Sequence, residues 1–262
     1  MDYTLLKRRI DINCDLGESY GHFKIGHDNE IMPHITSANI ACGFHAGDPV
    51  TIARTVKLAK RFKVAVGAHP GYPDLLGFGR REMKLSKEEL ENCVIYQIGA
   101  LQTMAKAVSL SLQHVKPHGA LYDMASKDEE LSKTIIEAVQ RVNPKLILFA
   151  LPKSYTAKVA AKKGQPVAFE AFADRAYNPN GTLVPRSQPN AVIENPQLVA
   201  KRVIQMIAEE TVTTINGKEV HLGEVHTICI HGDTPTAIEL VKKLKAELIA
   251  AKIEVKPVGA FL

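Results

Sequence analysis

Tryptophan is absent from this sequence, and aromatic residues make up only 6% of its 262 positions. Proteins that grip nucleic acid lean on aromatic side chains to stack bases, so little material for such a surface exists here. A large excess of charge of one sign is absent too. Lys and Arg total 33 against 28 Asp and Glu, a net charge of +5 at pH 7, scattered along the chain rather than gathered in a tail. That balance suits small anionic substrates better than a phosphate backbone. The four cysteines, Cys14, Cys42, Cys93 and Cys229, form no C-x-x-C pair, and three sit in apolar strand-like runs, so buried reduced thiols are expected. No apolar run reaches the roughly 18 residues of a membrane span. The stretch Met1–Arg9 lacks the apolar segment of a signal peptide, which points to a cytoplasmic protein. Familiar site motifs are missing as well. Gly21-His-Phe-Lys-Ile-Gly26 is followed by His27-Asp28 where a P-loop needs lysine, and Gly77-Phe-Gly79 lacks the third glycine of a dinucleotide fingerprint. Neither G-x-S-x-G nor H-E-x-x-H occurs, so no nucleotide or hydrolase site is legible as a motif.

What the chain does have is alternation. Strand-like runs at Ile10–Asp15, Ser37–Cys42, Val64–His69, His114–His118, Leu146–Leu151, Val167–Phe172 and Thr227–His231 are separated by helical stretches. Asp48-Pro49, Asn195-Pro196 and Thr234-Pro235 each set a capping side chain before a proline suited to the first helical position. Ser86 and Glu89 form a capping box ahead of Leu90, Val94, Leu101, Met104 and Val108 at helical spacing. Seven βα repeats predict a parallel sheet with right-handed crossovers. The length favours a single-domain, TIM-like (β/α) barrel of seven strands over residues 1–262, with an open doubly wound sheet as the alternative. Asn216-Gly217, flanked by Thr211–Ile215 and Lys218–Leu222, predicts a hairpin inserted at 211–222.

Alternate residues of a strand share a face. In the first strand Ile10, Ile12 and Cys14 oppose Asp11, Asn13 and Asp15. In a barrel the apolar set meets the outer helices, and the polar set points inward, where charge is costly unless paired. The same parity carries Asn39 and His45 after the second strand, His69 in the third, and His114, Lys116 and His118 in the fourth. It carries Glu170 and Asp174 in the sixth, and His231 and Asp233 in the last. The fifth strand has no polar side chain. A lone interior His or Asp is more often a satisfied core group. Six of seven strands converging at their C-terminal ends instead mark a functional cleft. Gly17, Gly43, Gly67, Gly71, Gly119 and Gly232 lie close by, where tight turns or close backbone approach are expected. The long loops Pro70–Met83 and Asp174–Ile193 add Arg80, Arg81, Arg175, Tyr177 and Arg186, and guanidinium groups there can clamp a carboxylate.

The segments Asp11-Ile-Asn-Cys-Asp-Leu-Gly-Glu18, Ser37-Ala-Asn-Ile-Ala-Cys-Gly-Phe-His-Ala-Gly-Asp48, Gly67-Ala-His-Pro-Gly-Tyr-Pro-Asp74 and Val115-Lys-Pro-His-Gly-Ala-Leu-Tyr122 resemble the LamB/YcsF family of 5-oxoprolinase A subunits. Glu170-Ala-Phe-Ala-Asp-Arg-Ala-Tyr177, Leu183-Val-Pro-Arg186 and Ile230-His-Gly-Asp233 extend that likeness through the chain in order. The resemblance implies a barrel related to sugar deacetylases and an ATP-dependent, Mg-assisted hydrolase of a cyclic amide, working with separate B and C subunits. On that reading ATP phosphorylates the lactam oxygen and water then opens the ring. Asp15, Glu170 or Asp174 orients the water, and Lys116, His118 and His231 stabilise developing charge. His45, His69 and Asp233 complete the catalytic set. Asn13, Arg80, Arg175, Tyr177 and Arg186 hold the substrate. Lys116→Met is expected to abolish turnover with the fold intact. Two alternatives stay open. One is a metal-dependent amidohydrolase that needs no ATP, with Asp15, His45, His69 and His118 as ligand types. The other is a non-catalytic subunit that only binds the lactam.

Overall fold

The computed structural model describes residues 8–232 and 236–262. Ten strands occur in chain order: β1 (Arg9–Leu16), β2 (Ser37–Ala41), β3 (Ala65–His69), β4 (Leu112–Val115), β5 (Ile147–Ala150), β6 (Val167–Phe172), β7 (Thr211–Thr213), β8 (Glu219–His221), β9 (Thr227–His231) and β10 (Glu254–Val255). The helices are α1 (Asp28–Ile31), α2 (Pro49–Phe62), α3 (Lys87–Lys106), α4 (Gly119–Lys127), α5 (Glu129–Val142), α6 (Tyr155–Lys162), α7 (Pro196–Ala208) and α8 (Ala237–Ala250). Parallel pairing runs β1-β2-β3-β4-β5-β6-β9, and β9 pairs back onto β1 from Asp11↔Thr227 to Asp15↔His231. That last pairing closes a seven-stranded barrel and excludes the open sheet.

Local signals behave as their chemistry requires. The Asp48 carboxylate accepts from the Val50 and Thr51 N–H groups at the start of α2, and Asn195 caps α7 through Leu198 N–H. Ser86 and Glu89 make the reciprocal capping box of α3. The Thr234-Pro235 signal lies outside the described residues. The fourth strand is displaced from its expected span, beginning at Leu112 and ending at Val115. Lys116 N–H still donates to Ala68 O and His118 N–H to Pro70 O, but Pro117 between them has no N–H to continue the ladder. The Asn216-Gly217 hairpin is present but short, with Thr211↔His221 to Thr213↔Glu219 paired and Gly217 at φ +80.

The two faces of each barrel strand separate as alternation demands. Ile10, Ile12, Cys14 and Leu16 are buried in the main core between barrel and helices. Each such side chain contributes about 1.5–3 kcal/mol on burial, and this shell holds the helices to the sheet. Cys14, Cys42 and Cys229 are buried free thiols, and Cys93 is half-buried.

Inside the barrel the two ends differ. The N-terminal end is filled. Phe149 of β5 stacks on the His114 ring at 4.2 Å, and Ile147, Phe149 and Ala168 pack on Val258, in the turn that follows β10. Gly67 is required here, because a Cβ at that position would sit 2.1 Å from the His114 ring. Asp11, also at this end, accepts hydrogen bonds from the hydroxyls of Thr36 (2.6 Å), Ser37 (2.7 Å) and Thr227 (2.5 Å). Burial pushes its carboxyl up to about 6 despite these donors.

An acid whose folded pKa is raised binds protons more tightly in the native state. Stability therefore falls as pH rises through the window from the unfolded value to about 6. The stability of the wild-type chain relative to Asp11→Asn is expected to drop by up to about 3 kcal/mol between pH 4 and 7. Urea unfolding of both chains across that range measures it, and a constant difference would contradict the raised carboxyl.

Candidate active site

Above Asp11 the interior becomes a connected polar network. Asn13 donates to Glu170 Oε1 (3.0 Å) and Thr227 Oγ1 (2.8 Å), and Asn39 donates to Asn13 Oδ1 and Asp15 Oδ1, both at 2.8 Å. His114 Nε2 lies 2.7 Å from Asn39 Oδ1. Lys116 crowns this layer. Its Nζ is 3.0 Å from Asp15 Oδ1, 2.8 Å from Glu170 Oε1, 3.2 Å from Asn13 Oδ1 and 3.0 Å from Cys229 Sγ. Burial disfavours the Lys116 ammonium, but Asp15, Cys229 and Glu170 around it hold its pKa well above the ordinary lysine value. Burial likewise opposes the Asp15 charge, but His69 and Lys116 outweigh it and hold that carboxyl well below the usual range.

At the C-terminal end of the barrel a cavity of about 390 Å³ opens, a size suited to a small molecule. Asp15, His69, Lys116, His118 and His231 line it from the strand ends. Arg80, Arg175 and Arg186 reach it from the two long loops. His231 Nδ1 lies 2.9 Å from Asp174 Oδ1, and His231 N–H donates to Asp174 Oδ2. Burial works against the Asp174 charge, but the adjacent His231 keeps its carboxyl below the usual value. The carboxylate accepts a hydrogen bond from Nδ1–H, which leaves the lone pair of a neutral ring on Nε2. Arg175 is buried, donates to Val184 O at 2.6 Å, and has no hydrogen-bond partner for its Nε. Burial and the neighbouring Arg186 push the Arg175 guanidinium pKa down. Two like charges held together at a cavity wall form a seat for an anion.

Not every expected residue reaches this cavity. Asn13 and Glu170 are fully buried one layer below it, which removes Asn13 from substrate contact and Glu170 from any contact with attacking water. Asp174 and His45 stand behind His231 and His118 rather than on the cavity surface. Tyr177 is fully buried away from the lining, and its hydroxyl accepts from Phe172 N–H at 2.8 Å. It holds the long loop to β6. Lys116 touches the cavity, and four protein acceptors surround the three N–H groups of its ammonium, so it balances the buried carboxylates. Arg81 pairs with Asp74 on the outside. Asp233 lies outside the described residues.

Glu18 carries no signal in strand parity. Gly17 adopts φ +70 and turns the chain after β1, which brings Glu18 to the cavity wall. Its Oε1 lies 3.3 Å from His45 Nε2 and 3.4 Å from His118 Nδ1. Glu18, and not Asp15, groups with His45, His69 and His118, their donor atoms lying within 4.8 Å of one another. Burial holds both His45 and His118 well below the usual histidine pKa, so both rings are neutral. Tyr122, Asp123 and Phe172 also line the cavity. Phe172 is visible by parity, whereas Tyr122 and Asp123 come from a helix and have no such signal.

A closed seven-stranded parallel barrel with flanking helices, carrying an ionised carboxylate, an Asp–His pair and cationic loops at its C-terminal mouth, is of the TIM-like α/β barrel class. The LamB/YcsF family profile matches residues 10–262, and the chain belongs to that family. It is 54% identical to the A subunit of 5-oxoprolinase from Pyrococcus abyssi, over 97% of this chain and 99% of that one. The crystal structure of the lactam utilization protein from Thermus thermophilus superimposes with a TM-score of 0.89 at 48% identity, covering 95% and 99% of the two chains. A family 4 carbohydrate esterase from Streptomyces lividans shares the fold alone, with a TM-score of 0.52 at 9% identity over 95% and 91% of the chains.

Removing Lys116 leaves the Asp15 and Glu170 carboxylates buried without their shared cation, and breaking a buried pair in this way costs about 3–5 kcal/mol. Lys116→Met is therefore expected to lower stability by that order as well as activity, which revises the expectation of an intact fold. Chemical denaturation measures it. An unchanged unfolding midpoint would show that the network does not depend on this ammonium.

Proposed function

We propose that this chain is the A subunit of a cytoplasmic 5-oxoprolinase and that its cavity holds 5-oxo-L-proline while the ring is opened to L-glutamate. The observation that carries this reading is near-full-length identity of 54% to a protein of that name. The chemistry of the cavity agrees with it. The substrate is small and anionic, and Arg175 with Arg186 supplies a seat for its carboxylate. The lactam ring then faces Asp15 and His231 across the cavity.

The overall reaction consumes one ATP and two waters per lactam and yields glutamate, ADP and phosphate. In the proposed sequence the γ-phosphoryl group passes to the lactam oxygen, making the ring carbon a better electrophile. Water attacks that carbon and loses a proton to His231 Nε2. The C–N bond breaks, the nitrogen takes up a proton, and a second water releases phosphate from the acyl carbon. Asp174 keeps His231 in the tautomer able to accept the proton. The ionised Asp15 orients water from the barrel floor. ATP, with Mg, is bound by the assembled complex with the B and C subunits.

The test is glutamate release from 5-oxoproline by this chain co-expressed with its B and C partners, with and without ATP. Release only with ATP and the partners supports the reading, and no release by an assembled complex would sink it. Within that assay, Asp174→Asn is expected to lower kcat by about 100-fold or more by reversing the His231 tautomer. Arg175→Met is expected to act mainly through KM. If Asp174→Asn keeps wild-type kcat, His231 is not the base.

A further inference from the structure

Four side chains of ligand type converge beside the cavity from four successive strand ends. Glu18 follows β1, His45 follows β2, His69 ends β3 and His118 follows β4, and all four are buried. Backbone carbonyls fix which nitrogen carries the proton in two of the rings. His69 Nδ1 lies 2.7 Å from Lys116 O, and His118 Nε2 lies 2.8 Å from Phe78 O. A carbonyl only accepts, so both of these nitrogens are N–H donors and each neutral ring keeps its lone pair on the other nitrogen. Those other nitrogens, His69 Nε2 and His118 Nδ1, are 3.0 Å apart. Glu18 Oε1 lies 3.4 Å from the second of them. The same oxygen is 3.3 Å from His45 Nε2, and neither nitrogen of His45 has a hydrogen-bond partner. With both rings neutral, the lone pairs of His69 Nε2 and His118 Nδ1 face each other at hydrogen-bond distance with no proton between them, a repulsion that a cation among them relieves.

We propose that Glu18, His45, His69 and His118 form a binding site for one divalent transition-metal ion of the zinc, cobalt, nickel or iron(II) class. Three imidazoles and one carboxylate match such borderline ions, whereas magnesium and calcium select oxygen ligands. The far nitrogens of His69 and His118 rest on backbone carbonyls, the outer support that metal-bound histidines use to hold ring orientation. The rings are also clamped sterically. His45 and His118 stack at 3.7 Å, and a Cβ at Gly79 (φ +65) would lie 2.7 Å from His45 Cβ and 2.8 Å from His118 Cδ2. Glu18, His69 and His118 line the cavity while His45 closes the site from behind, so one side of the ion faces the substrate space. With four protein ligands, a position for substrate or water on that side would come by expansion to five-coordination or by release of one ligand. The site does not depend on the identity of the substrate proposed above.

The competing cation is a proton on His69, with Asp15 Oδ2 at 3.4 Å to balance it. The full chain, made without a polyhistidine tag and stripped with chelator, is titrated with Co2+ and with Zn2+. One ion per chain, a rise in Tm, and visible cobalt bands of a nitrogen–oxygen site are expected. His45→Ala and Glu18→Gln lose the bands and the Tm rise, while their metal-free forms keep the circular dichroism spectrum of metal-free wild type. A wild-type chain that takes up neither ion overturns the proposal without need of any variant and leaves the proton as the cation. Variants that bind both ions like wild type overturn the assigned ligands.

Discussion

One ammonium group, at Lys116, makes the interior of this barrel habitable for charge. Two carboxylates, Asp15 and Glu170, point into a space sealed below by packed side chains, where an unpaired charge costs several kcal/mol. Nζ of Lys116 lies within 3.0 Å of both and also reaches Asn13 on β1 and Cys229 on β9. The contacts tie together β1, β4, β6 and β9, strands that do not all pair with one another. Polar satisfaction and barrel closure are therefore the same problem here. If β9 did not return to β1, Lys116 could not meet its acceptors, and if Lys116 were neutral, the carboxylates could not both remain charged inside.

The rest of the site follows from the difference between the two ends. Phe149, His114 and Val258 fill the N-terminal end, and the cavity among the described residues opens at the opposite mouth. At that mouth the strands stop and their successors lose ladder geometry, which frees Glu18, His45 and His118 to turn toward one another. The loops after β3 and β6 then carry Arg80, Arg175 and Arg186 over the opening. Arginines gather at the rim, while at the floor carboxylates are neutralised by Lys116.

Much of this was legible from residue order. Period-two alternation placed Asp11, Asn13, Asp15, Lys116, Glu170 and His231 on the inner face, and the capping signals at Asp48, Ser86 and Asn195 fell where helices begin. Depth was not legible. Asn13 and Asp15 share a face, but only the height of each above the plugged end separates a network member from a cavity residue. Parity also fails past a strand end. Glu18 is reached through the left-handed turn at Gly17, and Tyr177 folds back to cap Phe172 N–H instead of facing the substrate space.

By itself the sequence determined which residues form strands and helices, which side of each strand is apolar, and to which family the chain belongs, because these depend on local spacing and on ordered motifs. Tertiary structure alone decided that the sheet closes, that Lys116 is enclosed by four acceptors, and that Glu18 joins three histidines. Those outcomes depend on distances between strands far apart in the chain. Such distances are set by register, by closure and by the dihedral angles of loops, none of which residue spacing encodes.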